Sequence, residues 1–235
     1  MSEYVFECSS GEKIPIIITT RRGMRNITLR PKTAPVHEIH VSKPWISSNS
    51  SAIKFIESKR RWIERIFANA PQKRTVQPGD EIEFLGRIVK IEHDETQRAN
   101  KFIVVDEMHA TLIIGGGAEM FERRVRNFIK SEFIVVARNM IKSAPRELWP
   151  KRIVAHDTTS RWGSCSTTGT MSLSWRLAFA PMDVMRYVVM HELAHRRHMD
   201  HSPAVWATVG ELYGFGVERS KRWLNQHGAE LHQFF

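Results

Sequence analysis

The chain has 235 residues, of which 42% are hydrophobic and 26% charged, a balance that fits a packed globular protein and excludes a disordered one. No apolar run approaches the length needed to span a membrane, no secretory leader pattern opens the sequence, and two cysteines, Cys8 and Cys165, are too few for a disulfide framework. These features point to a cytoplasmic, reducing compartment, and a formal charge of +10 favours anionic partners: an anionic small molecule, an acidic or peptide substrate, or, without being required, nucleic acid.

Residues 13–20 are β-branched and apolar, and Arg21-Arg22-Gly23 closes them as a turn. Residues 25–30 and 36–41 read as two more strands, so a small antiparallel sheet is expected, with a basic cluster of Arg21, Arg22, Arg25, Arg30 and Lys32. From Ser51 to Asn69 the pattern is helical, with Ile53, Ile56, Ile63, Ile66 and Phe67 on one stripe. Pro71 and Pro78-Gly79-Asp80 interrupt the chain. Short strands follow over 81–85, 87–92, 101–105 and 110–114, the first two forming a hairpin near Gly86. Gly115-Gly116-Gly117 lacks the Lys-Ser/Thr ending of a phosphate loop and reads as a linker. Two domains are therefore expected: a β-rich N-terminal one over 1–114 and a catalytic one over 118–235.

A long amphipathic helix is predicted from Glu119 to Ala144, with Val125, Phe128, Ile129, Val136 and Met140 on its buried side. Strands over 151–156 and 171–175 flank the stretch Arg161-Trp162-Gly163-Ser164-Cys165-Ser166. Pro181 suits a first helical position, and Val184, Val188, His191 and His195 then follow at spacings of four, three and four. Further helices are expected from Ser202-Pro203 to Gly214 and from Val217 to Gln226.

The predicted helix after Pro181 carries His191-Glu192-Leu193-Ala194-His195, an H-E-x-x-H sequence. Histidines four apart share one helical face, and the glutamate between them can act on a water without being a ligand. An open catalytic zinc site needs a third protein ligand. His198, on a continued helix, would stand about 10 Å along the axis from His191 at roughly 1.5 Å per residue, too far for metal–nitrogen bonds of about 2 Å. His201 lies beyond Met199-Asp200, where the chain can turn back. The expected ligands are thus His191, His195 and His201, with Glu192 as general base and general acid at one Zn2+; imidazole donors also accept manganese or nickel. Arg161 and Arg176 are candidate cations for substrate or developing charge, and Trp162 and Trp175 candidate stacking surfaces. Each has a structural alternative, as a salt bridge or a core residue. Cys165, with no neighbouring base in sequence, reads as a packed thiol.

Four motifs in order, Arg161–Ser166, Ser174–Pro181, Val188–His195 and His201–Trp206, resemble the YgjP-like metal-dependent hydrolase family, related to the SprT-like zincin metallopeptidases. The resemblance extends to Arg21–Arg30 and to Trp62-Ile63. It implies an α+β fold, a zincin-like metallohydrolase domain after a small β-rich part. It also implies zinc at His191, His195 and His201 with Glu192 catalytic. Ser174 and Asp200 stand where the family often has asparagine. The function expected first is a metallopeptidase. A UTP pyrophosphatase releasing monophosphate and pyrophosphate comes second, and a nucleic-acid-binding module with structural zinc third.

Overall fold

The computed structural model describes residues 4–33, 36–68, 74–158 and 161–235. Asn69 and Pro71, expected as a helix end and a break, lie outside these. The fold is α+β, and the chain forms two compact units, Met1–Lys73 and Arg74–Phe235.

The first unit is built on strands β1 (Tyr4–Glu7), β2 (Lys13–Arg21), β3 (Thr28–Lys32) and β4 (Glu38–Pro44) in the order β1-β2-β4-β3. The expected all-antiparallel sheet is corrected here. β2 and β4 pair in parallel, because β3 folds back along the outer edge of β4 and leaves the inner edge to β2. Alternating residues Ile14, Ile16, Ile39 and Val41 face the core. The single helix expected after them is two, α1 (Asn49–Ser58) and α2 (Arg60–Ala68). The Ser48 hydroxyl accepts from the Ser51 amide at 3.0 Å and caps α1. Ala52, Ile56, Ile63 and Phe67 close the core, while Ile66 is half-buried.

The second unit opens with β5 (Glu81–Phe84), β6 (Arg87–Asp94), β7 (Lys101–Val104) and β8 (His109–Gly115), ordered β5-β6-β8-β7. The β5–β6 hairpin turns on Leu85 and Gly86, both at positive φ (49° and 76°), as a two-residue turn matched to strand twist requires. Helix α3 (Phe121–Ile141) buries Phe121, Val125, Ile129, Phe133, Ala137 and Ile141, a stripe repeating every fourth residue. Phe128, Val136 and Met140 flank that stripe, half-buried. A three-stranded sheet follows: β9 (Arg152–His156), β10 (Gly163–Cys165) and β11 (Thr170–Ser174), ordered β10-β11-β9. Helices α4 (Met182–Ala194), α5 (Pro203–Tyr213) and α6 (Val217–His227) complete the unit.

The boundary differs from the one expected at Gly115-Gly116-Gly117. Ile82, Val89, Leu112 and Ile114 of the four-stranded sheet share one core with α3, Met171, Leu173 and Val189, so that sheet belongs with the helices that follow it. Among the described residues no helix is long and apolar enough to cross a membrane.

Candidate metal centre

Helix α4 begins after Pro181, which occupies the cap position one residue earlier than expected, with Asp183 in the first turn. Nine of its thirteen residues are buried, Val184, Val188, Val189 and Leu193 among them. A helix held on nearly every side fixes the side chains of its last turn. His191 and Glu192 lie in that turn, and His195 follows at the C-cap. The chain then bends: the amides of Arg197 and His198 both bond the Ala194 carbonyl. The Asp200 carboxylate accepts from the Ser202 amide at 3.1 Å, and α5 starts with Ser202 as N-cap and Pro203 in its first turn. Asp200 keeps this turn-closing acceptor, and hydrogen bonding from the Ser202 hydroxyl, then from its amide, holds the carboxyl below the usual range.

This turn brings His201 back to α4. One ring nitrogen each from His191, His195 and His201 lie within 4.8 Å of one another. Ring centroids stand 5.0 Å apart for His191–His195, 4.9 Å for His195–His201 and 5.8 Å for His191–His201. His198 is not in this group, but its main-chain oxygen lies 2.9 Å from His195 Nδ1. That contact places the proton on Nδ1 and leaves Nε2 as a donor. His191 is held in place by the rings of Tyr187 and Trp206, at 6.0 and 5.3 Å.

The donor set fits a divalent metal. Burial, then the neighbouring His195, His201 and Lys221 charges, lower the His191 pKa to about 4, so its ring is neutral at pH 7, the form that ligates. Its Nδ1 is buried with no hydrogen-bond partner among the described residues. A group of three imidazoles, the set found among the described residues, suits an ion with an open position. Glu192 is buried beside them, and burial raises its pKa to about 7, partly opposed by Arg161.

The centre opens into a cavity of about 510 Å³. One wall is β10, an edge strand. The Ser174 amide bonds the Trp162 carbonyl at 2.8 Å and the Ser166 amide the Thr170 carbonyl at 2.9 Å. Alternation between these pairs turns the amides and carbonyls of Gly163 and Cys165 to the open side. A Cβ on Gly163 would stand 2.5 Å from Glu192 Cγ, so only glycine admits Glu192 beneath the strand. α6 also lines the cavity, through Lys221, Leu224 and Asn225.

Arg161 and Trp162 line this cavity. Trp162 is held from behind by His232, centroid to centroid 5.4 Å, and by Gly228, where a Cβ would stand 2.8 Å from the indole. Arg176 does not line it, and its expected substrate role is corrected. It is buried, donates to both Asp157 carboxylate oxygens at 2.7 and 3.1 Å, and bonds the Phe234 main-chain oxygen at 2.6 Å. Its charge is consumed in tying the chain's last residues to β9. Trp175 is wholly buried, against Phe179 and Phe235. The Cys165 thiol reaches the cavity with its pKa raised by burial, which keeps it protonated and unreactive.

The sequence reading missed Gly163, Tyr187, Lys221 and Asn225. Tyr187 could have been found, four residues before His191 on the same helical face. Lys221 and Asn225 share a face of α6, yet nothing local says which partner that face meets.

The sequence matches the family described as YgjP-like, metallopeptidase domain, over residues 25–227. No curated protein matches the chain. The crystal structure of the metallopeptidase zymogen of Pyrococcus abyssi abylysin is similar at 21% identity, with 45% of this chain and 97% of that chain covered and a TM-score of 0.32. With the match spanning well over half of its length, the chain belongs to the YgjP-like metallopeptidase domain family, and is a metal-dependent hydrolase of the metallopeptidase type.

Proposed function

We propose that this protein hydrolyses peptide bonds with one divalent ion, zinc, held by His191, His195 and His201. The observation that carries the reading is the convergence of three ring nitrogens within 4.8 Å, with buried Glu192 beside them, at the floor of an open cavity. A zinc ion there supplies Lewis-acid polarisation of the attacked carbonyl and a lowered pKa for a water. Glu192 takes a proton from the attacking water on a carboxylate oxygen and gives it to the leaving amine nitrogen. The free edge of β10 offers Gly163 and Cys165 backbone groups to an extended peptide, which can add to the sheet as a further strand. Arg161 and Lys221 hold negative charge on the substrate or the tetrahedral oxygen.

Those two cations also favour a second reading, hydrolysis of UTP to its monophosphate and pyrophosphate, since the cavity lining offers one carboxylate, Glu192, against them. A structural zinc is less well supported, because such sites are closed by four protein ligands and the group found among the described residues has three. The test is turnover by zinc-loaded protein, with Glu192→Gln in parallel, on a peptide library and on UTP. Peptide cleavage by the wild type, reduced at least about a hundredfold in the variant, is expected. Pyrophosphate release without peptide cleavage, lost in the variant, reverses the order of the two readings. Full peptide turnover in Glu192→Gln with zinc bound removes Glu192 from the mechanism.

A further inference from the structure

A second cavity, of about 320 Å³, lies apart from the metal centre and shares no lining residue with it. α3 contributes Arg138 and Lys142 to its walls, and the segment entering β9 contributes Trp149, Lys151 and Arg152. Four cations line it and, among the described residues, no carboxylate does. All four are exposed, and none is in an ion pair among the described residues. Gathering like charges around a concave surface raises the local potential well above that of a flat basic face, and an anion is what relieves it.

Trp149 narrows the class of anion. Its Nε1 donates to the Ala144 carbonyl at 3.0 Å, which fixes the ring, and the Arg146 guanidinium stands 5.9 Å from the ring centre. The side chain is nonetheless 36% exposed at the cavity. Arg138 and Lys142 are one helical turn apart, about 6 Å along α3 at roughly 1.5 Å per residue, so they can meet successive charges on an extended polyanion. A held indole beside two pairs of cations matches a sugar–phosphate strand with an unstacked base; a duplex presents no free base face to it.

We propose that this cavity binds single-stranded nucleic acid, with Arg138, Lys142, Lys151 and Arg152 on the phosphodiesters and Trp149 stacked on a base. The test is fluorescence anisotropy of a labelled oligothymidylate titrated with metal-loaded full-length protein across roughly 50–200 mM NaCl. In Arg138→Gln/Lys142→Gln, affinity falls at least about tenfold at low salt. Its log–log salt slope flattens by about 1.4, two phosphate contacts at about 0.7 each. Trp149→Leu weakens binding about tenfold and leaves the slope unchanged, the mark of a stacking contact rather than a charge. Arg21→Gln/Arg22→Gln, in the other basic cluster, binds as the wild type does. Circular dichroism confirms that each variant is folded. Absence of binding by the wild type at low salt overturns the proposal, as does unchanged affinity and slope in Arg138→Gln/Lys142→Gln. Equal binding of a duplex also overturns it. Displacement by polyglutamate at matched charge, with no effect of Trp149→Leu, assigns the cavity to an acidic polypeptide instead and overturns it equally.

Discussion

Gly163 shows how a residue without chemistry of its own can govern the site. Its missing Cβ is the space that Glu192 occupies, and the 2.5 Å clash of an added methyl falls on the carboxylate's own stem. In Gly163→Ala the ligand rings are untouched, so metal content measured by mass spectrometry stays at one ion per chain. Glu192 is displaced by about an ångström, and kcat for peptide hydrolysis falls about a hundredfold with KM nearly unchanged. Arg176 illustrates the opposite case. Removing it in Arg176→Met leaves the Asp157 carboxylate and the Phe234 carbonyl without their donor, at a cost of about 3 kcal/mol in chemical denaturation. The arginine and the glycine, each inside one of the four motifs, thus exchange the weights that a reader of the sequence assigns them. Charge draws attention to Arg176, while the packing that makes Gly163 indispensable exists only once β10 lies over α4.

At the scale of elements, the segment from α6 to the last residues behaves as a strap whose hold depends on pH. His232 sits against Trp162, and burial, then the Arg176 charge, lower its pKa to about 4, with Asp157 opposing. The unfolded chain takes up this proton near the ordinary value of 6.5 and the folded chain only near 4. The contribution is therefore complete above about 6.5 and drains away as pH falls towards 4. Urea denaturation at pH 7 and at pH 4.5 should show a smaller loss for His232→Asn than for the wild type. The elements themselves were legible to differing degrees. The apolar repeat through Val184 and Val188 announces α4 and its two histidines, because a 3.6-residue period is written locally. The Ser202-Pro203 start of α5 is equally local, and it is what makes His201 reachable. The parallel pairing of β2 with β4 is not local, since it depends on where β3 settles between them in sequence. For the same reason Gly115-Gly116-Gly117 looked like a seam. Whether a sheet keeps its own core or shares that of a later helix is decided by the faces of Leu112 and Ile114 meeting α3.

For the whole molecule, two separate cores imply two separable unfolding events, one for Met1–Lys73 and one for Arg74–Phe235. The three-histidine group lies in the second. Calorimetry with and without chelator should move that transition alone, by about 2.7 kcal/mol when free zinc stands at a hundred times its Kd. His201→Ala should abolish the shift and His198→Ala should keep it, since the latter leaves the main-chain oxygen that orients His195 in place. The three histidines are also unequally anchored. His191 and His195 come from a helix packed on almost every side, whereas His201 stands exposed on the bend between α4 and α5. An ion held by all three would clasp that bend, so limited proteolysis with and without chelator should show faster cleavage around Met199 once the metal is removed.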